Sequence, residues 1–136
     1  MMKPEISLRV PGKKEYALIL RLALGGAAVL KDLDAGTLDD LRIASDEACD
    51  CLLHQGRQVE WLELNVTDEG DRLLVTIGAE FSVDGDEDAA PLCEEELEIS
   101  RTVLETLAPQ VKLCVAGCGC VCRIDLTLPK AVSMGA

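Results

Sequence analysis

The sequence contains few aromatic residues and almost no histidine. Among its 136 residues are one Trp, one Tyr, one Phe and one His. Three aromatic rings are too few for the stacking platforms on which proteins bind single-stranded nucleic acids. The single imidazole, His54, excludes metal sites made of several histidines and catalytic designs that need two imidazoles.

Basic residues and long apolar runs are also scarce. Twenty-five acidic residues against 13 basic ones give a formal charge of −12, and Lys13-Lys14 is the only adjacent basic pair. Without a basic stripe to neutralise phosphates, we expect no nucleic-acid partner. The longest uncharged runs, 22–30 and 113–122, are far shorter than the ~20 apolar residues of a membrane-spanning helix. We therefore expect no membrane partner either.

Cysteine is the exception, because the sequence has seven of them. Residues 1–5 contain no apolar stretch followed by a small-residue cleavage site, so we expect a cytoplasmic protein. Cysteines in that reducing compartment are normally thiols rather than disulfides. The odd number of cysteines agrees with this expectation.

The length, with 49% hydrophobic and 28% charged residues, predicts one globular domain over residues 1–136. The pattern of apolar residues predicts an α+β two-layer sandwich, in which about three helices cover one face of a mainly antiparallel mixed sheet. The predicted elements are, in order, a strand at 5–10, a helix at 14–33 buried on more than one side, a helix from an N-cap at Thr37 to Gly56, a hairpin of 59–66 and 73–77, an acidic loop at 84–98, a helix at 97–107, and strands at 111–115 and 120–128.

The second predicted helix carries the first candidate site. Glu47, Asp50 and Cys51 lie three and four residues apart, so they are predicted to share one helix face. A carboxylate there is either a partly buried general base or part of the solvated edge of the helix. The pattern alone favours the solvated edge, because acids on amphipathic helices usually face water.

A series of short segments covers the chain at 8–12, 16–21, 38–44 and 47–49, followed by Leu97, Ile99, Arg101, Gly117, Gly119 and Arg123. Together they resemble the anti-sigma-factor serine kinases, which belong to the histidine-kinase-like ATPase superfamily. The resemblance covers nearly the whole chain in the expected element order and implies the fold of that superfamily. It also implies Mg-ATP as the cofactor, and a sigma factor and a small antagonist domain with a phosphorylatable serine as partners. Members commonly form homodimers.

The resemblance assigns roles to two residues of the second helix. In the family a helix glutamate is the general base, and Glu47 occupies its position. An asparagine one turn later binds magnesium, but here that position is Cys51, and a thiol is a poor ligand for a hard cation that prefers oxygen. Asp50 supplies oxygen but sits one residue earlier, about 100° around the helix.

The nucleotide motifs of the family are altered as well. Residues 78–83 lack the family's aspartate and spaced glycines, and 84–86 restores only one glycine. Glu94 and Glu96 stand where the family has phosphate-binding glycines. One carboxylate ~4 Å from a phosphate costs on the order of 4 kcal/mol at an effective dielectric constant of 20, whereas a micromolar ligand gains only ~8 kcal/mol. Further positional matches to the nucleotide site are Gly117, Gly119 and Cys120.

Four cysteines near the C-terminus, Cys114, Cys118, Cys120 and Cys122, suggest a competing function. Their C-x3-C-x-C-x-C spacing differs from the paired C-x2-C of zinc ribbons. Alternation along a strand predicts that Cys118, Cys120 and Cys122 share one core-facing side, so we expect no metal there.

Three functions therefore remain after the sequence analysis. The favoured prediction is a regulatory protein of the anti-sigma type, with ATP binding weakened or lost. The alternative is an active ATP-dependent serine/threonine kinase that acts on a small antagonist protein, with Glu47 as the base. A metal or redox protein built on the cysteines is the third.

Overall fold

The computed structural model describes residues 3–82, 94–117 and 119–130. Within these ranges it contains five strands and three α-helices, which confirms the predicted α+β class. The elements are β1 (Ile6–Pro11), a 3-10 turn (Lys14–Tyr16), α1 (Ala17–Leu30), α2 (Ala35–Leu53), β2 (Val59–Asp68), β3 (Arg72–Phe81), α3 (Glu94–Leu107), β4 (Gln110–Val115) and β5 (Val121–Pro129).

The sheet has the strand order β1-β2-β3-β5-β4. All four pairings between described strands are antiparallel, so the sheet is antiparallel rather than mixed. No parallel pair forms among the described strands because of the position of β5. The connection through α3 makes β3 and β4 run in the same direction, but β5 lies between these two strands and pairs with both.

The two faces of the sheet differ in polarity, as alternation along a strand requires. Leu64, Ile77 and Leu126 of neighbouring strands are fully buried and share a core with α1, α2 and α3. Their sequence neighbours Asn65 and Thr76 lie on the opposite face, which the helices do not cover. The helices therefore form one layer and the sheet the other, as predicted.

Several predicted boundaries were wrong by a few residues. The first α-helix follows a 3-10 turn and ends at Leu30, not at residue 33. The second begins at Ala35, because the carboxylate of Asp34, not Thr37, is the N-cap and accepts a hydrogen bond from the Thr37 N–H at 2.7 Å. It ends at Leu53, before Gly56 with its positive φ of 75°.

Only part of the acidic segment predicted at 84–98 lies within the described residues. Residues 84–93 lie outside the described residues, and α3 begins at Glu94, three residues before the predicted start of that helix. Among the residues that the structure does describe, no helix has both the length and the apolar character needed to cross a bilayer.

Candidate functional site

The candidate residues Glu47, Asp50 and Cys51 of α2 do not all face the same neighbouring helix. Cys51 is buried, with 4% of its surface exposed, and its thiol forms a hydrogen bond with Ser100 of α3. Asp50 is exposed and lines a shallow pocket with Lys14 and Arg21 on the α1 side. The prediction of one shared face is therefore wrong for this pair, because α2 packs between α1 and α3 and its two flanks have different surroundings.

Burial determines the chemistry of Cys51. Desolvation raises the pKa of its thiol, and the nearby charge of Glu47 acts in the same direction, whereas the hydrogen bond with Ser100 opposes it. The thiol therefore stays protonated at neutral pH and offers no negative charge to a cation.

Glu47 lies on the same flank of α2 as Cys51 but is only half-buried. Its charge acts on the Cys51 thiol, so the two side chains are electrostatic neighbours. Within the described residues, the Glu47 carboxylate makes no hydrogen bond or ion pair. Water can reach it, and it could accept a proton from a bound group.

The phosphate-binding position of the resemblance falls on the first turn of α3. Glu94 is the first residue of this helix, and the side chains of Glu95 and Glu96 are exposed. The N-terminus of a helix attracts anions through its free N–H groups and its dipole. Carboxylates in the first turn interact with this positive helix end themselves. Their negative charge also repels a phosphate that approaches the same helix end.

The remaining positional matches lie in the connection between β4 and β5. Gly117 and Gly119 are exposed, and Gly119 adopts a φ of 91°, which favours glycine. Two backbone hydrogen bonds, from Ala116 N–H to the Cys120 carbonyl at 2.8 Å and from Gly119 N–H to the Ala116 carbonyl at 2.9 Å, close the turn. Cys120 is buried. In the described structure these residues build a tight turn.

Gln55 joins this turn to α2, and sequence reasoning missed it. The residue follows the helix end, is 1% exposed, and donates from Nε2 to the Val121 carbonyl at 2.8 Å. The Val121 N–H donates in return to Oε1 at 2.6 Å. A single glutamine between a helix and a glycine carries no periodic signal, so only the tertiary structure identifies it.

The C-terminal cysteines do not share one core-facing side as predicted. Cys118 lies outside the described residues, and Cys120 precedes β5 and is buried. Cys122 is half-buried and lines a concavity on the polar face of the sheet. The pairing register explains the difference, because β5 contains one extra residue opposite β4 at this point. In the part of the chain that is described, no three His, Cys, Asp or Glu residues are placed to hold a metal ion.

One face of α1 is apolar and uncovered. The prediction that this helix is buried on more than one side is wrong, since Leu20, Leu24 and Ala28 are buried but the opposite side is exposed. The only charged residue of α1, Arg21, lies on its flank and pairs with Asp46 at 3.1 Å. We call this uncovered surface the α1 face. It consists of Leu18, Leu22, Gly26 and Leu30 at four-residue intervals, flanked by Ile19 and Val29.

Comparison with family models and with curated proteins adds no relative to this picture. No family model matches the chain, and no curated protein has significant similarity to it. The class of the protein is defined by the fold of its described residues, an α+β sandwich of three helices on a five-stranded antiparallel sheet. The resemblance to anti-sigma-factor kinases stays a prediction that rests on the short motifs of the sequence.

Proposed function

We propose that this chain is a cytoplasmic regulatory domain of the anti-sigma type, which binds proteins and in which ATP binding is weakened or lost. Its proposed partner is a sigma factor or a small antagonist domain. The observation that carries the proposal is the burial of Cys51 against Ser100 of α3. This is the position where the resemblance places the magnesium ligand.

The α2 helix offers poor ligands for a Mg²⁺ ion. Magnesium requires oxygen ligands in near-octahedral geometry, and Cys51 supplies a protonated sulfur that is already hydrogen-bonded. Asp50 has the right atoms but faces the pocket on the α1 side. Rotating it toward α3 would require a different packing of the whole helix. This argument supports a protein that has lost the metal site.

The α3 helix argues in the same direction for phosphate. Its first turn contains Glu95 and Glu96, both exposed to the solvent from which a nucleotide would approach. Two carboxylates near a triphosphate add repulsion where the family is expected to supply glycine N–H groups. This repulsion supports weak nucleotide binding.

The α1 face supports protein binding. A helix with an apolar outer side is normally covered in the functional state, and we propose that a second copy of the chain covers it. A two-fold dimer brings the same surface together from both copies. A Cβ atom placed on Gly26 would have no neighbour within 4 Å, so the middle of the face is open to close approach of a second helix.

Two measurements test the proposal. Isothermal titration with Mg-ATP and Mg-ADP should give no binding at physiological nucleotide concentrations. Affinity capture from the native host, followed by mass spectrometry, should identify a sigma factor or an antagonist domain among the specific partners. A micromolar dissociation constant for Mg-ATP would contradict the loss of the nucleotide site.

The accessible carboxylate of Glu47 favours one alternative, the active serine/threonine kinase. Removing a general base typically lowers the rate by ~10²–10⁴, so Glu47→Ala separates the two functions. For a binding protein, neither wild type nor Glu47→Ala transfers labelled phosphate to the captured partner, and both bind it equally. Transfer by wild type that is lost in Glu47→Ala would establish the kinase.

A further inference from the structure

Two cysteines and an arginine converge at the bulge between β4 and β5. Cys114 and Arg123 are register partners, and the extra residue of β5 beside them is Cys122. The Cys122 thiol donates to the Cys114 carbonyl oxygen at 3.4 Å, and Nη2 of Arg123 donates to Sγ of Cys114 at 3.2 Å. The bulge therefore brings Cys122 into direct contact with Cys114, through the thiol of the first and the backbone of the second.

This pair differs in exposure from the two buried thiols of α2. Cys114 and Cys122 are half-buried, and Cys122 lines the concavity above Gly78 on the polar face of the sheet. Cys49 and Cys51 are buried residues of α2, and burial raises the pKa of Cys49 to about 12. A reagent dissolved in water can reach the first pair and not the second.

Arg123 distinguishes Cys114 from Cys122. Its guanidinium donates a hydrogen bond to Sγ of Cys114, so a positive charge lies beside the sulfur that would attack a small disulfide. Nε of the same arginine forms an ion pair with Oδ1 of Asp125 at 3.0 Å. This ion pair fixes the side chain, so that Nη2 remains directed at the sulfur.

We propose that Cys114 and Cys122 form a reversible dithiol modification site, which low-molecular-weight disulfides such as oxidised glutathione convert into an intramolecular disulfide. This site is independent of the proposed protein-binding function. Disulfides of cytosolic proteins are usually transient and redox-sensing, and a pair on a sheet edge fits that use because β4 is the last strand of the sheet.

The reaction has two exchange steps. In the first, the Cys114 thiolate attacks one sulfur of the small disulfide, whose S–S bond breaks, and one small thiolate leaves with the electron pair and takes up a proton. In the second, the Cys122 thiolate attacks Sγ of Cys114 and displaces the second small thiol, which is protonated in turn. The protein loses two electrons and two protons, and the small disulfide is reduced to two thiols.

The test uses the natural positions of trypsin cleavage. Cleavage after Lys112 and after Arg123 releases peptide 113–123, which contains Cys114, Cys118, Cys120 and Cys122, and peptide 43–57 contains the buried Cys49 and Cys51. The folded protein is incubated with oxidised glutathione, and its remaining thiols are alkylated. After trypsin digestion, the masses of both peptides are measured by mass spectrometry. We expect peptide 113–123 to lose two hydrogen atoms, reversibly with dithiothreitol, and peptide 43–57 to stay reduced.

Three single variants identify the pair. Disulfide closure should be lost in Cys114→Ser and in Cys122→Ser, with glutathione retained on Cys114 in the second variant. The matched control is Cys118→Ser in the same peptide, which should close at the wild-type rate. Failure of wild type to close, an unchanged rate in Cys114→Ser or Cys122→Ser, or loss of closure in Cys118→Ser would each overturn the proposal.

Discussion

The side-chain amide of Gln55 pairs with both backbone groups of Val121. One hydrogen bond runs from Nε2 to the Val121 carbonyl at 2.8 Å, and the other from the Val121 N–H to Oε1 at 2.6 Å. Both residues are buried, so water cannot replace either bond. The amide thus makes the pair of hydrogen bonds that a neighbouring strand would make, and it joins the end of α2 to the first residue of β5.

We expect Gln55→Ala to lower the free energy of unfolding by about 2–4 kcal/mol, because it leaves two buried backbone groups without partners. Urea denaturation measures the change. The control is Gln58→Ala, which truncates an exposed glutamine three residues later and should change the free energy of unfolding by less than about 0.5 kcal/mol. Equal losses in the two variants would contradict the role assigned to the Gln55 amide.

Asparagine at position 51, where the resemblance to the kinases places the magnesium ligand, should not create nucleotide binding. Cys51→Asn introduces an amide where the side chain is buried against Ser100, and an unsatisfied buried polar group costs about 1–3 kcal/mol. We expect lower stability in urea and no Mg-ATP binding by titration calorimetry.

The control for that substitution is Asp50→Asn, which adds the same amide at the exposed neighbouring position and should preserve stability. Gain of Mg-ATP binding by Cys51→Asn would show that the cysteine alone had removed the metal site. It would also show that the packing of α2 on α3 permits a nucleotide.

A charge on the α1 face should abolish the proposed self-association. Leu22→Glu places a carboxylate in the middle of this face, and burying it between two copies without a partner would be costly. We expect light scattering to report dimers for wild type and monomers for Leu22→Glu. The matched control is Ile99→Glu on α3, since Leu22 and Ile99 are 62% and 63% exposed. Monomeric wild type, or monomers in both variants, would contradict the proposed dimer.

The lowered pKa of Asp68 predicts that the protein loses stability in acid. A hydrogen bond from the Gly70 N–H, together with Lys130 and Lys31, lowers the pKa of Asp68 from 3.8 to about 2. A carboxyl whose pKa is lower in the folded state stabilises the fold above its unfolded pKa. This contribution is therefore complete above pH 3.8 and is lost as the pH falls from 3.8 toward 2.

Comparison of Asp68→Asn with wild type tests this relationship. The variant should have the lower Tm at pH 6, and the difference should shrink as the pH approaches 2, where wild type also loses the charge. Asp71→Asn, an exposed neighbour whose nearest cation is 4.0 Å away, should show little difference at any pH. A constant difference for Asp68→Asn would show that the charge is not what stabilises the fold.

Most of the fold could be predicted because its signals are local. The turn between β2 and β3 has Gly70 with a φ of 97° at its centre, and alternation on both sides sets the strands. The N-cap of α2 was harder, since Asp34 and Thr37 are both good caps and only the backbone shows which one accepts the hydrogen bond.

The candidate site could be predicted less well, because it depends on which helix covers which flank. Spacing places Glu47 and Cys51 near each other, and the structure confirms their proximity. No periodicity indicates that α3 buries Cys51 while Asp50 faces α1. The bulge that brings Cys122 beside Cys114 is equally invisible in the sequence, because one extra residue reverses the alternation on which the prediction depends.

The nearly uncharged character of α1 has a consequence for how association should respond to salt. Each copy carries a formal charge of −12, so two copies repel at long range, while the α1 face contributes no ion pair between them. The Debye length falls from about 30 Å at 0.01 M salt to about 10 Å at 0.1 M. Added salt therefore screens the repulsion and leaves the apolar contact intact. The proposed dimer should therefore bind more tightly as ionic strength rises, opposite to an interface held by charge pairs.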